Sequence, residues 1–204
     1  VPTGVALRDA RQQLFDAAER VLLRAGPNAL TSRAVTAEAG CAKGVLHRHF
    51  SDFDTFLAEL VEDRIARVEA QEAALCGSAG TGTVTGNLAE ALTTVFESVA
   101  VAIVALITSR DELRAKLRAT RPTGVPLASE ATAMIARYLA AERDLGRIAA
   151  GADIDTLAPM LVGAGHLVFA DRTGPRPDAE AVRRVVTTTL AGVTGEPRGA
   201  AAPE

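Results

Sequence analysis

Three histidines and two cysteines are the side chains of this 204-residue sequence best suited to hold a metal or attack a substrate. Their spacing gives them little to do together. His47 and His49 are two apart, which on a helix separates them by about 200° and rules out one shared ion. His166 stands on an apolar helical pattern and reads as a satisfied core or interface histidine. Cys41 and Cys76 form no C-x-x-C pair. They fit a reducing cytoplasm, with Cys41 a buried, inert thiol. No H-E-x-x-H or G-x-S-x-G occurs. Glu62-Asp63 and the Glu142/Asp144 pair fall on polar helix faces, where solvation is the expectation. The glycines of 77–86 precede no G-K-[ST] and follow no strand, so they form a loop without a phosphate-binding role. These residues point to no enzyme, no cofactor and no metal. Cations close together in the chain remain: Arg33, Lys43 and Arg48. Their chemistry is that of binding a polyanion, since a guanidinium or ammonium can meet guanine O6/N7 or a phosphate.

The elements that would position these cations are short. Residues 30–50 read L-T-S-R-A-V-T-A-E-A-G-C-A-K-G-V-L-H-R-H-F. Thr31 is a natural N-cap, and Val35 and Ala39 lie one turn apart behind it. Gly40 supplies the positive φ of a tight turn. Leu46 and Phe50, four apart, share a face of the next segment and leave Lys43, His47 and Arg48 pointing elsewhere. Two helices on a tight turn, the second presenting cations away from its core face, form a helix-turn-helix. Upstream, Leu14, Phe15, Ala18, Val21, Leu22 and Ala25 repeat as one helix face, preceded by Arg8 and Arg11 and stopped by Gly26-Pro27. Residues 1–6 read as a frayed arm.

The stretch from Leu30 through S-D-F-D-T-F-L resembles the DNA-binding signature of the TetR family of bacterial repressors, including the A-G of the turn and the final H-F. That resemblance covers about a quarter of the chain. It implies that Thr31, Ser32 and His49 meet phosphates and that Arg33 meets a base. It implies further that Lys43, Gly44, Val45, His47 and Arg48 face the groove. Gly44 would allow close backbone approach. Three positions depart from the pattern: Ala42 stands in place of a capping Ser, His47 of a phosphate-binding Tyr, and Phe53 of a basic residue.

Composition fits a folded helical protein: 48% hydrophobic, 23% charged, and only 3% aromatic with no Trp. The net charge of −3 is unusual for a DNA binder. Residues 1–56 hold seven Lys/Arg and six Asp/Glu, hence +1, leaving −4 beyond them. Binding must use a local patch, doubled in a dimer. No apolar leader is visible, and the apolar run 99–107 is far short of the ~20 residues that span a bilayer. A cytoplasmic location and no membrane partner are expected.

After the head, S-D-F-D reads as a capping box opening a helix over 51–74. Helical periodicity continues over 87–117 (with a break near 109–111), 127–148, 156–170 and 182–193, with loops at 120–126 and 172–178. No strand is expected, and the class is all-α. The domains are 1–51, a three-helix DNA-binding head; 52–194, a helical ligand-binding and dimerisation body; and 195–204, a disordered tail. The resemblance implies that the last two helices pair with those of a second subunit. Gly163, Ala164 and Gly165 would leave a shallow groove for close helix approach. It also implies a cavity among Phe96, Val99, Ile103, Met134 and Tyr138. These suit a small, mostly hydrophobic effector, with Tyr138 as the polar handle. The expected function is a homodimeric repressor that binds double-stranded palindromic operator DNA and is released by that effector. The other reading is a helical small-molecule-binding protein whose head no longer binds DNA.

Overall fold

A computed structural model describes residues 10–171 and 177–194. The expected arm with Arg8, most of the 172–178 turn and the tail from 195 lie outside the described residues. These form ten α-helices and no strand: α1 Ala10–Ala25, α2 Ser32–Glu38, α3 Gly44–His49, α4 Phe53–Gly77, α5 Val84–Phe96, α6 Ala100–Ser109, α7 Asp111–Thr120, α8 Ala128–Asp144, α9 Ile154–Ala170 and α10 Ala179–Thr189. One isolated bridge joins Ile148 and Thr194. No single described helix is long and apolar enough to cross a membrane. The chain divides into two compact units, one from Val1–Arg64 and Ala102–Pro126, the other from Ile65–Val101 and Leu127–Glu204.

In the first unit, α1 buries Leu14, Phe15, Ala17, Ala18, Val21 and Leu22, close to its expected stripe. Gly26, at φ +80°, and Pro27 end it. Phe15 from α1, Phe50 just past α3 and Phe56 from α4 meet with ring centroids 5.0–5.8 Å apart. Edge and tilted contacts of this kind suit the ring quadrupole. Asp52, not Ser51, caps α4: its Oδ1 accepts from Thr55 N at 2.7 Å. The carboxylate takes the cap because it can also accept from the Ser51 and Thr55 hydroxyls and from Lys116. Helix α7 belongs to this unit, burying Leu113 and Leu117. Its Lys116 reaches Asp52 and Thr55 at 3.2 and 2.9 Å, and Arg110, at its N-cap, donates to the Leu30 carbonyl at 2.8 Å.

In the second unit, α8 packs on α9, and α5 and α10 close the layer. Four sequence expectations change here. Helix α5 begins at Val84, inside the expected loop, because Thr83 Oγ1 accepts from Gly86 N at 3.0 Å and caps it. The helical stretch expected over 87–117 also breaks at 97–99. Ser98 Oγ donates to the Val95 carbonyl at 2.6 Å and accepts from Ala100 N, replacing the backbone ladder. Helix α8 stops at Asp144, where Gly146 takes φ +74° and Arg147 N donates to the Glu142 carbonyl. Glycine 165 does not serve an external groove: a Cβ there would lie 3.0 Å from Phe96, so it seats α9 on α5. Gly163, two residues earlier, faces open space.

Glu142 is a further correction. It is fully buried rather than solvated. Its Oε1 accepts from the Tyr138 hydroxyl at 2.5 Å, and Oε2 accepts from Gly80 N at 3.3 Å and lies 3.4 Å from Arg147 Nε. A buried carboxylate is tolerable only with such partners.

The aromatic cluster gives a direct stability test. Phe56→Ala should cost about 3–5 kcal/mol, the range for emptying a buried aromatic site. Urea unfolding followed by far-UV circular dichroism measures it, and a loss under about 1 kcal/mol would refute a central role for the cluster.

Candidate nucleic-acid interface

The helix-turn-helix is assembled from α2, α3 and the turn between them. Thr31 Oγ1 accepts from Ala34 N at 3.1 Å, the expected cap of α2. Buried Thr36 returns its hydroxyl to the Ser32 carbonyl at 3.0 Å. Gly40 has φ +65°, and Cys41 N donates to the Thr36 carbonyl at 3.0 Å, closing the turn. Lys43 opens α3 with no side-chain cap, as expected from Ala42 at the preceding position. Leu46 and Phe50 are buried and hold α3 from below. Arg11 secures its far end, donating to the His49 carbonyl at 3.2 Å and lying 4.4 Å over the Phe50 ring while it pairs with Glu59. A cation at a helix C-terminus also opposes the negative end of the dipole.

The candidate side chains are solvent-facing or half-buried, with none fully buried. Thr31, Arg33, Lys43, Gly44, His47, Arg48 and His49 are exposed, and Ser32 and Val45 are half-buried. Arg33 and Lys43, from different elements, line one shallow concavity of about 360 Å³ with Thr36, Ala37 and Cys41. Gly44 would meet nothing within 4 Å if given a Cβ, so no internal packing requires a glycine there. Cys41 is half-buried rather than buried, and that partial burial raises its thiol above the ordinary value. Phe53, the departure at the start of α4, stacks on Phe56 at 5.6 Å under the Arg110 guanidinium.

Charge pairing separates these cations from their neighbours. Arg20 and Arg24 hold Glu38 at 2.8 and 2.7 Å, Arg64 pairs with Glu19, Lys116 with Asp52, and Arg121 with Glu62. Arg33, Lys43 and Arg48 have no carboxylate partner among the described residues. A charge left in water without a partner keeps its full attraction for an incoming anion. No group of His, Cys, Asp or Glu among the described residues could hold a metal.

Sequence reasoning missed Arg11, Arg110 and Lys116 as positioning residues. The two α7 contacts span 80 and 64 residues of chain, and nothing local signals them.

The effector candidates are all buried. Phe96, Val99, Met134 and Tyr138 lie in the second unit, Ile103 in the first. The Tyr138 hydroxyl accepts from Asn87 Nδ2 at 2.9 Å and donates to Glu142, so both of its roles are taken. Burial, and then the Glu142 bond, push its pKa above the ordinary value.

Residues 14–60 match the family of bacterial regulatory proteins, tetR family. No curated protein matches the sequence. Among solved structures, the fold is similar to reduced NemR of Escherichia coli, with a TM-score of 0.69 at 15% identity over 93% of this chain and 100% of that one. A transcriptional regulator from Rhodococcus sp. Rha1 gives 0.69 at 18% identity over 93% and 100%. FadR of Bacillus subtilis, solved in complex with stearoyl-CoA, gives 0.65 at 18% over 89% and 98%.

The clamp on α2 carries a pH dependence. Hydrogen bonds from Arg24 and then Arg20 lower the pKa of Glu38 from its ordinary 4.5. A carboxyl whose folded value is depressed contributes stability that is complete above its unfolded value and is lost as pH falls through the folded one. Thermal stability should therefore decline with acid below about 4.5, and Glu38→Gln should flatten part of that decline. Melting curves across pH 3 to 6 measure it; identical acid slopes for the two proteins would remove Glu38 from the account.

Proposed function

We propose that this chain, a transcriptional regulator of the TetR family, is a cytoplasmic repressor that binds a palindromic operator as a homodimer. The exposed Arg33, Lys43 and Arg48, without a carboxylate partner among the described residues, carry this reading, because the neighbouring arginines named above are held in ion pairs. Lys43 and Arg33 suit base edges or phosphates, with Thr31, Ser32, His47, Arg48 and His49 around them. Gly44 and Val45 leave the start of α3 low enough for a groove wall to come close.

Dimer formation is supported by α9. Met160 and Leu167 are 53% and 73% exposed. With Thr156, Gly163 and Ala170, also exposed, they form one stripe at i, i+4, i+7, i+11 and i+14. An exposed apolar stripe is the usual mark of a partner surface, and a twofold axis would lay it on its own copy. Helix α10 presents Arg183, Arg184, Thr187 and Thr188, a polar border beside it. Two heads reading successive major grooves would stand roughly 34–36 Å apart.

Release by a small, mostly apolar effector completes the proposal. FadR, solved with stearoyl-CoA, takes a ligand with a long apolar acyl chain, which supports an apolar part in the effector. In the second unit the buried Phe96, Val99, Met134 and Tyr138 would supply its apolar lining. An effector changes operator affinity only if it binds the DNA-competent and incompetent states unequally, and DNA must then weaken effector binding by the same factor.

Two measurements test this. In gel shifts with the intergenic DNA upstream of its own gene, Lys43→Ala and Arg33→Ala should each lose about 1–3 kcal/mol of specific binding. Wild-type affinity should fall steeply with salt. Operator binding unchanged in both variants would remove α2 and α3 from the interface, and no binding at all would favour a sensor that has lost its DNA function. In sedimentation, Leu167→Glu and Gly163→Glu should convert a dimer to monomers; a dimer unaffected by either would displace the interface from α9.

A further inference from the structure

A cleft of about 270 Å³ lies between the C-terminal end of α4 and helix α5, wholly within the second unit. Its apolar walls are Ala74, Leu75 and Ala91, and Gln71, Ser78, Asn87, Glu90 and Thr94 supply its polar groups. No Lys or Arg lines it, and Glu90 carries its one formal charge. The Glu90 carboxylate is exposed and has no partner among the described residues.

Two hydroxyls and the Asn87 amide of this lining already donate within the chain. Ser78 Oγ donates to the Leu75 carbonyl at 2.7 Å, and Thr94 Oγ1 to the Glu90 carbonyl at 2.9 Å. Asn87 Nδ2 faces the carbonyls of Ser78 and Thr81 and the Tyr138 hydroxyl, at 3.4, 3.0 and 2.9 Å. Carbonyls only accept, so the Asn87 amide orientation is fixed, and its Oδ1 is left without a donor. Gln71 Oε1 is closed to solvent and accepts nothing. The cleft thus offers the Asn87 amide oxygen and the Glu90 carboxylate beside a short apolar wall. The last turn of the 25-residue α4 adds the negative end of its dipole.

We propose that this cleft binds a small organic cation, an ammonium or amidinium carrying one compact apolar group. The N–H donors would meet Glu90 and the free amide oxygen of Asn87, and the apolar group would lie against Leu75 and Ala91. The volume is at the small end of ligand pockets, which limits the apolar part to about one ring or a short chain. This site goes beyond the five buried candidates, and it does not rest on operator binding.

The test is isothermal titration of the full chain with benzamidine, its neutral isostere benzamide, and benzoate. Benzamidine should bind about tenfold or more tightly than benzamide, the scale of one charge-assisted contact, and benzoate should not bind. Glu90→Gln should erase the preference for benzamidine, and Ala91→Leu, which fills the cleft, should abolish binding. Glu180→Gln, on the exposed face of α10, should change nothing. Equal binding of benzamidine and benzamide, no binding of benzamidine at millimolar concentration, or a Glu90→Gln protein indistinguishable from wild type would each overturn the proposal. Gel shifts with the upstream DNA report on the operator reading separately, so the two can fail independently.

Discussion

The contact among Phe15, Phe50 and Phe56 is the constraint on which the first unit depends. Helix α3 has only six residues, too few to be stable by its own hydrogen bonds. Its direction must come from what it is fastened to. Leu46 beneath it and Phe50 at its end are driven into the core, and Arg11 grips its last carbonyl while covering the Phe50 ring. Once those apolar groups are seated, the opposite side of α3 has no choice but to face outward. The exposed cations follow from the burial of the ring.

The same unit shows how an acidic chain can carry a cationic patch. Most of its arginines work as internal struts: Arg20 and Arg24 brace α2 against α1, and Arg64 and Arg121 tie α4 to its neighbours. Their fields are cancelled at short range by the carboxylates they hold. Arg33, Lys43 and Arg48 have no such carboxylate among the described residues, so three uncompensated cations stand on a chain whose net charge is −3. Helix α7 contributes to the same frame, since Arg110 and Lys116 pin the entry to α2 and the cap of α4.

The second unit rests on a different device, a buried polar chain. Glu142 holds Tyr138, Tyr138 accepts from Asn87, and Asn87 and Arg147 hold the carbonyls of the 78–82 loop. Each member is costly alone in a low-dielectric interior and affordable only because the next one satisfies it. The loop between α4 and α5 is thereby fixed, which gives the adjoining cleft a preformed wall.

Local pattern was sufficient for the helix-turn-helix. Thr31 as a cap, Gly40 at positive φ, and Leu46 with Phe50 on one face are statements about neighbouring residues, and the structure repeats them. Helical class followed from periodicity for the same reason. Ser98 and Thr83 escaped that reading, because a hydroxyl that competes with or caps the backbone moves a helix end without disturbing the apolar repeat. Glu142 escaped it more completely: on α8 alone it belongs to a polar face, and only the arrival of Gly80 and Arg147 makes its burial possible. The grip of α7 on the head and the sorting of paired from unpaired arginines were likewise decided in three dimensions. A charge's partner is chosen by distance in space, and a sequence records distance only along the chain.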